Sequence, residues 1–183
     1  MNWTIPGTTL TEPRANADQT PEMFHSMFLA GGMVLSQVAS ITGLEPYAIQ
    51  NWVKRGFLAP PKNKRYNMEQ VCRIITINML KGALPLEKIC SLMQYINGDL
   101  TDDADDLIDD AVLYFMFVKL AARARHIGGN DSWDIAIENA MAAYAEPQPG
   151  ARDRVAKVLR AMLMAWIASR FKAQVEAMVD ELQ

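Results

Sequence analysis

The stretch from Leu35 to Met93 constrains this chain more than any other, because helix signals and firm stops alternate along it at short, regular intervals. Ser36 is placed to cap a first helix, and Val38, Ala39 and Ile41 give that helix one apolar face. Gly43-Leu44 then makes a turn tight enough to need a residue that tolerates positive φ. Glu45-Pro46 opens a second helix, since proline suits a first helical position that has no use for its missing N–H. Ile49, Trp52 and Val53 fall on its inward face, Tyr47, Gln50, Asn51, Lys54 and Arg55 on its outward face, and Gly56 ends it. Phe57 to Pro61 leads into Lys62-Asn63-Lys64-Arg65-Tyr66, a short hairpin or tight loop with three cations. Asn67 caps a third helix carrying Val71, Ile74, Ile75, Asn78 and Met79. Pro85 starts a fourth, which carries Ile89, Leu92, Met93 and Ile96 and stops at Asn97-Gly98.

Helix, glycine turn, helix and basic hairpin, in that order, are the parts of a winged helix-turn-helix. Charge agrees with that order. From Leu35 to Gly98 eight Lys or Arg face three acids, a net +5, whereas residues 99 to 183 carry nine bases against fifteen acids, a net −6. The whole-chain value of −3 conceals this asymmetry, and a basic segment joined to an acidic one suits a nucleic-acid reader with an accessory domain. Gln50 and Asn51 are side chains that pair bidentately with adenine, and Tyr47 and Lys54 share their face. Ser36, Arg55, Lys62, Lys64, Arg65 and Tyr66 complete the expected DNA-contacting set, the cations holding phosphates. The competing reading is an ordinary solvated helix face followed by a charged turn.

Outside this stretch the chain offers less chemistry. Residues 1–20, rich in Thr, Pro, Gly and Asn, read as an irregular arm, and Thr20 as the cap of a helix from Pro21 to about Ala30. Thr101 is expected to cap a helix that opens with six aspartates among residues 102–110 and runs to about His126. Gly128-Gly129 breaks that helix and Ser132 caps the next. A last helix is expected from Ala151 to about Leu182, with Leu159, Leu163, Ile167, Phe171, Val175 and Val179 spaced four apart. No strand is predicted beyond the wing.

At 183 residues with half of them hydrophobic, the chain can bury a sizeable core. Its central apolar run, Ala111 to Val118, is too short to span a bilayer, and no secretory signal is visible. Cys72 and Cys90 lie in helical apolar patterns and read as reduced, buried side chains, which suits the cytoplasm. The aspartates Asp99, Asp102, Asp103, Asp105, Asp106, Asp109 and Asp110 lack the glycine and terminal glutamate of a calcium loop, so helix-dipole complementarity is the expected role and no metal or cofactor is assigned. An acidic surface that touches the basic module is the sharper alternative. His25 and His126 have no nucleophile motif beside them, and nothing in the chain has the spacing of nucleophile, base and orienter. Val112 to Phe117 is apolar all round and reads as core, with a ligand cavity lined by its aromatics as the alternative.

Residues 34–93 resemble the N-terminal domain of MerR-type regulators in the Gly43-Leu44 turn, in Gly56-Phe57-Leu58 followed by Pro60, in Tyr66 after the basic loop, and in Leu86-Glu87-Lys88-Ile89. More narrowly, AIQNWVKRGFLAPPKNKRYNMEQV followed by NMLKGALPLEKI resembles the bacterial domain-of-unknown-function 1836 family, from about Met23 to Leu120. Two departures from the MerR pattern fall on the recognition surface. Gln50-Asn51-Trp52 stands where those regulators usually carry Arg-Tyr-Tyr, and the wing is trimmed to Lys62–Tyr66.

The expected fold is therefore mainly α, a MerR-like winged helix-turn-helix at 21–98 followed by an all-helical domain at 99–183. The expected function is a DNA-binding transcription regulator, not an enzyme. Helix 45–55 would read the major groove and wing 60–66 the backbone of double-stranded DNA. A homodimer, and a small-molecule effector in the C-terminal domain, are the expected partners. The alternative is a protein-interaction or architectural, excisionase-like protein on the same fold.

Overall fold

The computed structural model describes residues 2–98, 100, 105–124 and 130–182, the side chains of 130–132 excepted. It is mainly helical. A hairpin of β1 (Asn2–Thr4) and β2 (Thr11–Pro13) leads through a 3-10 turn (Arg14–Gln19) into α1 (Thr20–Phe28). Next come β3 (Met33–Val34), α2 (Leu35–Thr42), α3 (Pro46–Lys54) and β4 (Arg65–Tyr66), with β4 antiparallel to β3 in the register Met33 to Tyr66. Four further helices follow α4 (Met68–Leu80): α5 (Leu86–Asn97), α6 (Asp110–Arg123), α7 (Asn130–Ala140) and α8 (Ala151–Asp180).

The core is continuous across the chain. Helix α6 packs on α4, and α8 packs on α4, α5, α6 and α7, so the boundary expected at residue 98 does not interrupt the apolar interior. The aromatics of α6 fill that interior. Tyr114 and Phe115 pack on Phe24 at 5.8 and 5.4 Å between ring centroids, and Phe117 meets Trp166 edge-on at 5.9 Å. The core reading holds for Leu113 to Phe117, whose rings contact one another and their neighbours, whereas Val112 is 44% exposed.

Several local expectations are corrected. The first twenty residues are not an irregular arm. Trp3 and Ile5 are buried, the Tyr114 hydroxyl donates to the Pro6 carbonyl at 2.9 Å, and Asn78 donates to the Gly7 carbonyl at 2.9 Å. Strands of three residues are too short for alternation to stand out from composition. Thr20 does not cap α1; its buried hydroxyl donates to the Glu12 carboxylate at 2.8 Å. Ser36 lies inside α2, whose first turn is instead closed by the Gln37 side-chain oxygen accepting from the Val34 N–H at 3.0 Å. Helix α6 begins only at Asp110, and Asp109 is its cap, accepting from the Ala111 and Val112 N–H groups at 2.6 and 3.0 Å. Ser132 falls within α7 rather than before it. Asp99, Thr101, Asp102, Asp103, His126, Gly128 and Gly129 lie outside the described residues.

Other local elements form as expected. Gly43 ends α2 at φ 67°, Pro46 opens α3, and Asn67 accepts from the Gln70 N–H at 2.8 Å to cap α4.

Candidate nucleic-acid interface

Helix α3 is anchored by Ile49 and Trp52, both buried, while Val53 is half-buried. The turn before it is clamped from below. Asn78 of α4 donates to the Thr42 carbonyl at 2.8 Å, and the Thr42 hydroxyl donates to the Val38 carbonyl at 2.7 Å. These constraints fix the rotation of α3 about its axis and leave Tyr47, Gln50, Asn51 and Lys54 exposed together, Tyr47 at 71%.

The basic loop is a two-residue hairpin turn. The Arg65 N–H donates to the Lys62 carbonyl at 2.9 Å, and Asn63 and Lys64 both have positive φ, 51° and 62°. Left-handed conformations at both central positions are those of a tight two-residue hairpin turn, closed here by the Lys62–Arg65 bridge. Gln70 holds the approach to the turn by donating to the carbonyls of Ala59 and Pro60 at 3.1 and 3.0 Å. The turn leans toward α2 and α3, and Ser36, Gln50, Val53, Pro61 and Lys64 line one groove between them.

The ten residues expected to contact DNA divide into three groups. Ser36, Gln50 and Lys64 share the groove, and Tyr47, Asn51, Lys54 and Lys62 are exposed on the same two elements. Arg55 and Arg65 are exposed but engaged: Arg55 pairs with Glu87 at 2.6 Å and lies 4.5 Å from the Phe57 ring centre, and Arg65 donates to the Gly32 carbonyl at 2.8 Å. Tyr66 is buried, although it also lines that groove. It is 3% exposed, sits opposite Met33 in the β3–β4 pair, and burial pushes its phenol above the ordinary value. Its part is to pin the base of the turn to α2.

Arg73, counted among the basic charges of this region, belongs to the interior. Its Nη1 donates to the Asp110 Oδ2 at 2.9 Å, its Nε donates to the Phe57 carbonyl at 3.2 Å, and Asn97 donates to the other Asp110 oxygen at 3.2 Å. Burial raises the Asp110 carboxyl above the ordinary carboxylate range, with the Arg73 charge opposing the rise. This node was missed from the sequence, although an arginine inside the apolar run Val71 to Ile77 was a usable signal.

Asp109 caps a helix and Asp110 is paired, and among the described residues no three His, Cys, Asp or Glu side chains gather as a metal site. His25 contacts the Pro21 carbonyl at 2.6 Å through Nδ1. Cys72 and Cys90 are free and buried. Among the described residues no helix is long and apolar enough to cross a membrane.

Residues 18–117 match the family model described as a domain of unknown function, DUF1836. The uncharacterized protein YkrK of Bacillus subtilis (strain 168) is 30% identical over 84 residues, a match covering 44% of this chain and 36% of the relative. No solved structure matches the chain. The matched segment takes in α1 to α5 and the start of α6, the candidate interface included, and on that match the chain belongs to the DUF1836 family.

Proposed function

We propose that α2, α3 and the Lys62–Arg65 turn form a MerR-like winged helix-turn-helix that binds double-stranded DNA in a transcription regulator. The observation that carries this reading is the shared groove: Ser36 from the start of α2, Gln50 from the outward face of α3 and Lys64 from the turn line one surface. In such a module the second helix enters the major groove while the wing lies along the flanking backbone. Gln50 and Asn51 present amide pairs that match an adenine edge, and Lys54, Lys62 and Lys64 supply phosphate contacts. One module of this size gives limited specificity, so the reading includes two copies on a two-fold site.

Fluorescence anisotropy with fragments selected from genomic DNA tests it. Affinity should fall steeply with salt, and Lys54→Glu with Lys64→Glu should remove retention while leaving the helical content unchanged. The exposed Tyr47 and Leu29, 71% and 86% accessible, favour a second reading in which the same fold docks a protein. That reading predicts no salt-dependent DNA retention and loss of a protein partner in Tyr47→Ala.

A further inference from the structure

The last four carbonyls of an α-helix have no partner inside the helix and must find one outside it. In α2 they belong to Ala39, Ser40, Ile41 and Thr42, and all four are engaged. The Gly43 N–H donates to Ala39 at 2.9 Å, which is the turn closing on itself. The other three are held from elsewhere in the chain. The Thr9 hydroxyl is shared between Ser40 at 2.9 Å and Ile41 at 3.2 Å, and the Thr9 N–H donates to Ile41 at 2.8 Å. Asn78 Nδ2 donates to Thr42 at 2.8 Å and also to the Gly7 carbonyl at 2.9 Å, so it ties the α2 end to the same loop that carries Thr9. That loop, at the tip of the β1–β2 hairpin, is firmly seated. Ile5 is fully buried, the Pro6 carbonyl accepts from the Tyr114 hydroxyl of α6, and Gly7 lies directly against the Ile75 carbonyl of α4.

We infer that Thr9 is a positioning residue for the outward face of α3, setting which DNA sequence that face accepts. Three residues, Gly43 to Glu45, separate α2 from α3, so a displacement at the end of α2 passes directly into the angle of α3. Hydrogen bonds to base edges weaken steeply with distance and angle, whereas long lysine side chains keep their phosphate contacts through a small rotation. Thr9 therefore governs discrimination between sequences and leaves the electrostatic hold on DNA unchanged. Thr9 precedes the matched residues 18–117, so the family match does not assign it a part. The effect on binding rests on the DNA reading of α3; the constraint on α3 does not.

Two measurements on the full chain test this with Thr9→Val, which removes the hydroxyl at nearly constant shape, and Thr9→Ser, which keeps it. In native-state hydrogen exchange without DNA, the α3 amides of Thr9→Val should exchange about fivefold faster, the equivalent of one such hydrogen bond, with the α4 and α6 amides unchanged. In binding, the affinity ratio between a genomically selected fragment and an unrelated duplex should fall about fivefold in Thr9→Val, the lower end of what one lost base contact costs. The salt slope should stay at its wild-type value, and Thr9→Ser should match the wild type in both measurements. Unchanged α3 exchange in Thr9→Val overturns the inference whatever DNA does. Faster exchange with an unchanged affinity ratio overturns the role in discrimination. A wild type that retains no DNA, with α3 exchange still faster in Thr9→Val, overturns the DNA reading and upholds the constraint.

Discussion

The Arg73 guanidinium of α4 and the Asp110 carboxylate at the start of α6 form a buried pair at 2.9 Å, with side chains 6% and 13% accessible. Through the Phe57 carbonyl and Asn97 the same pair joins the segment after α3 to the end of α5. Removing one member of such a pair leaves a buried charge uncompensated and costs about 3–5 kcal/mol. Arg73→Met and Asp110→Leu should each destabilise on that scale by urea unfolding, while the double variant should recover most of the loss.

The pair also has a pH signature. The folded-state Asp110 value lies above its unfolded one, so the folded chain binds more protons in the interval between them, and stability from this group declines as pH rises through that interval. Arg73 opposes the rise. In Arg73→Met the interval should extend upward and the decline with pH should deepen, as read from unfolding midpoints between acidic and neutral pH.

Gly7 separates backbone strain from steric conflict. Its φ is +76°, and a Cβ there would lie 2.5 Å from the Ile75 carbonyl oxygen of α4; Gly31, at φ +84°, has nothing within 4 Å of that position. Gly31→Ala should cost about 1 kcal/mol from the left-handed conformation alone. Gly7→Ala should cost at least about 2 kcal/mol, since the hairpin or α4 must shift as well. Equal thermal shifts for the two would show that the hairpin does not seat on α4.

Lys64 occupies a left-handed position that glycine favours, beside Asn63. Lys64→Gly should therefore stabilise the fold by a few tenths to about 1 kcal/mol, since Asn-Gly suits this turn. On the DNA reading it should at the same time weaken binding and reduce the salt slope by about 1. Gains in stability and losses in affinity from one substitution distinguish a turn kept for contact from one kept for folding.

Burial and the nearby carboxylates of Asp109, Asp110 and Glu69 push the Cys72 thiol well above its ordinary value, and burial raises Cys90. Both should react with a thiol reagent only as fast as the chain opens, and fully in denaturant. Rapid labelling of either in the native protein would contradict their placement.

Legibility followed the physics of each signal. Gly43, Pro46 and Asn67 were readable because a turn, a helix start and a cap each need particular residue types. The exposed set on α3 was readable because Ile49 and Trp52 leave its other face outward. Tyr66 and Arg73 were misplaced because residue type alone does not say which way a side chain points: Tyr66 turns inward across a strand pair, and Arg73 is held by an acid thirty-seven residues away. Thr20 and Ser36 have the chemistry of caps, yet Glu12 claims the first and Gln37 closes the helix for the second. Along α8 the spacing of four expected from Leu159 to Val179 drifts round the helix, from buried Leu159 and Leu163 to exposed Phe171 and Val179.

The central claim is that the groove shared by Ser36, Gln50 and Lys64 meets duplex DNA. Salt-dependent fluorescence anisotropy on genomically selected fragments tests it most directly, comparing the wild type with Lys54→Glu/Lys64→Glu. The predicted result is wild-type affinity that falls linearly on a logarithmic salt scale and a double variant with no retention at any salt concentration. Equal retention of both proteins, or wild-type binding insensitive to salt, would contradict it.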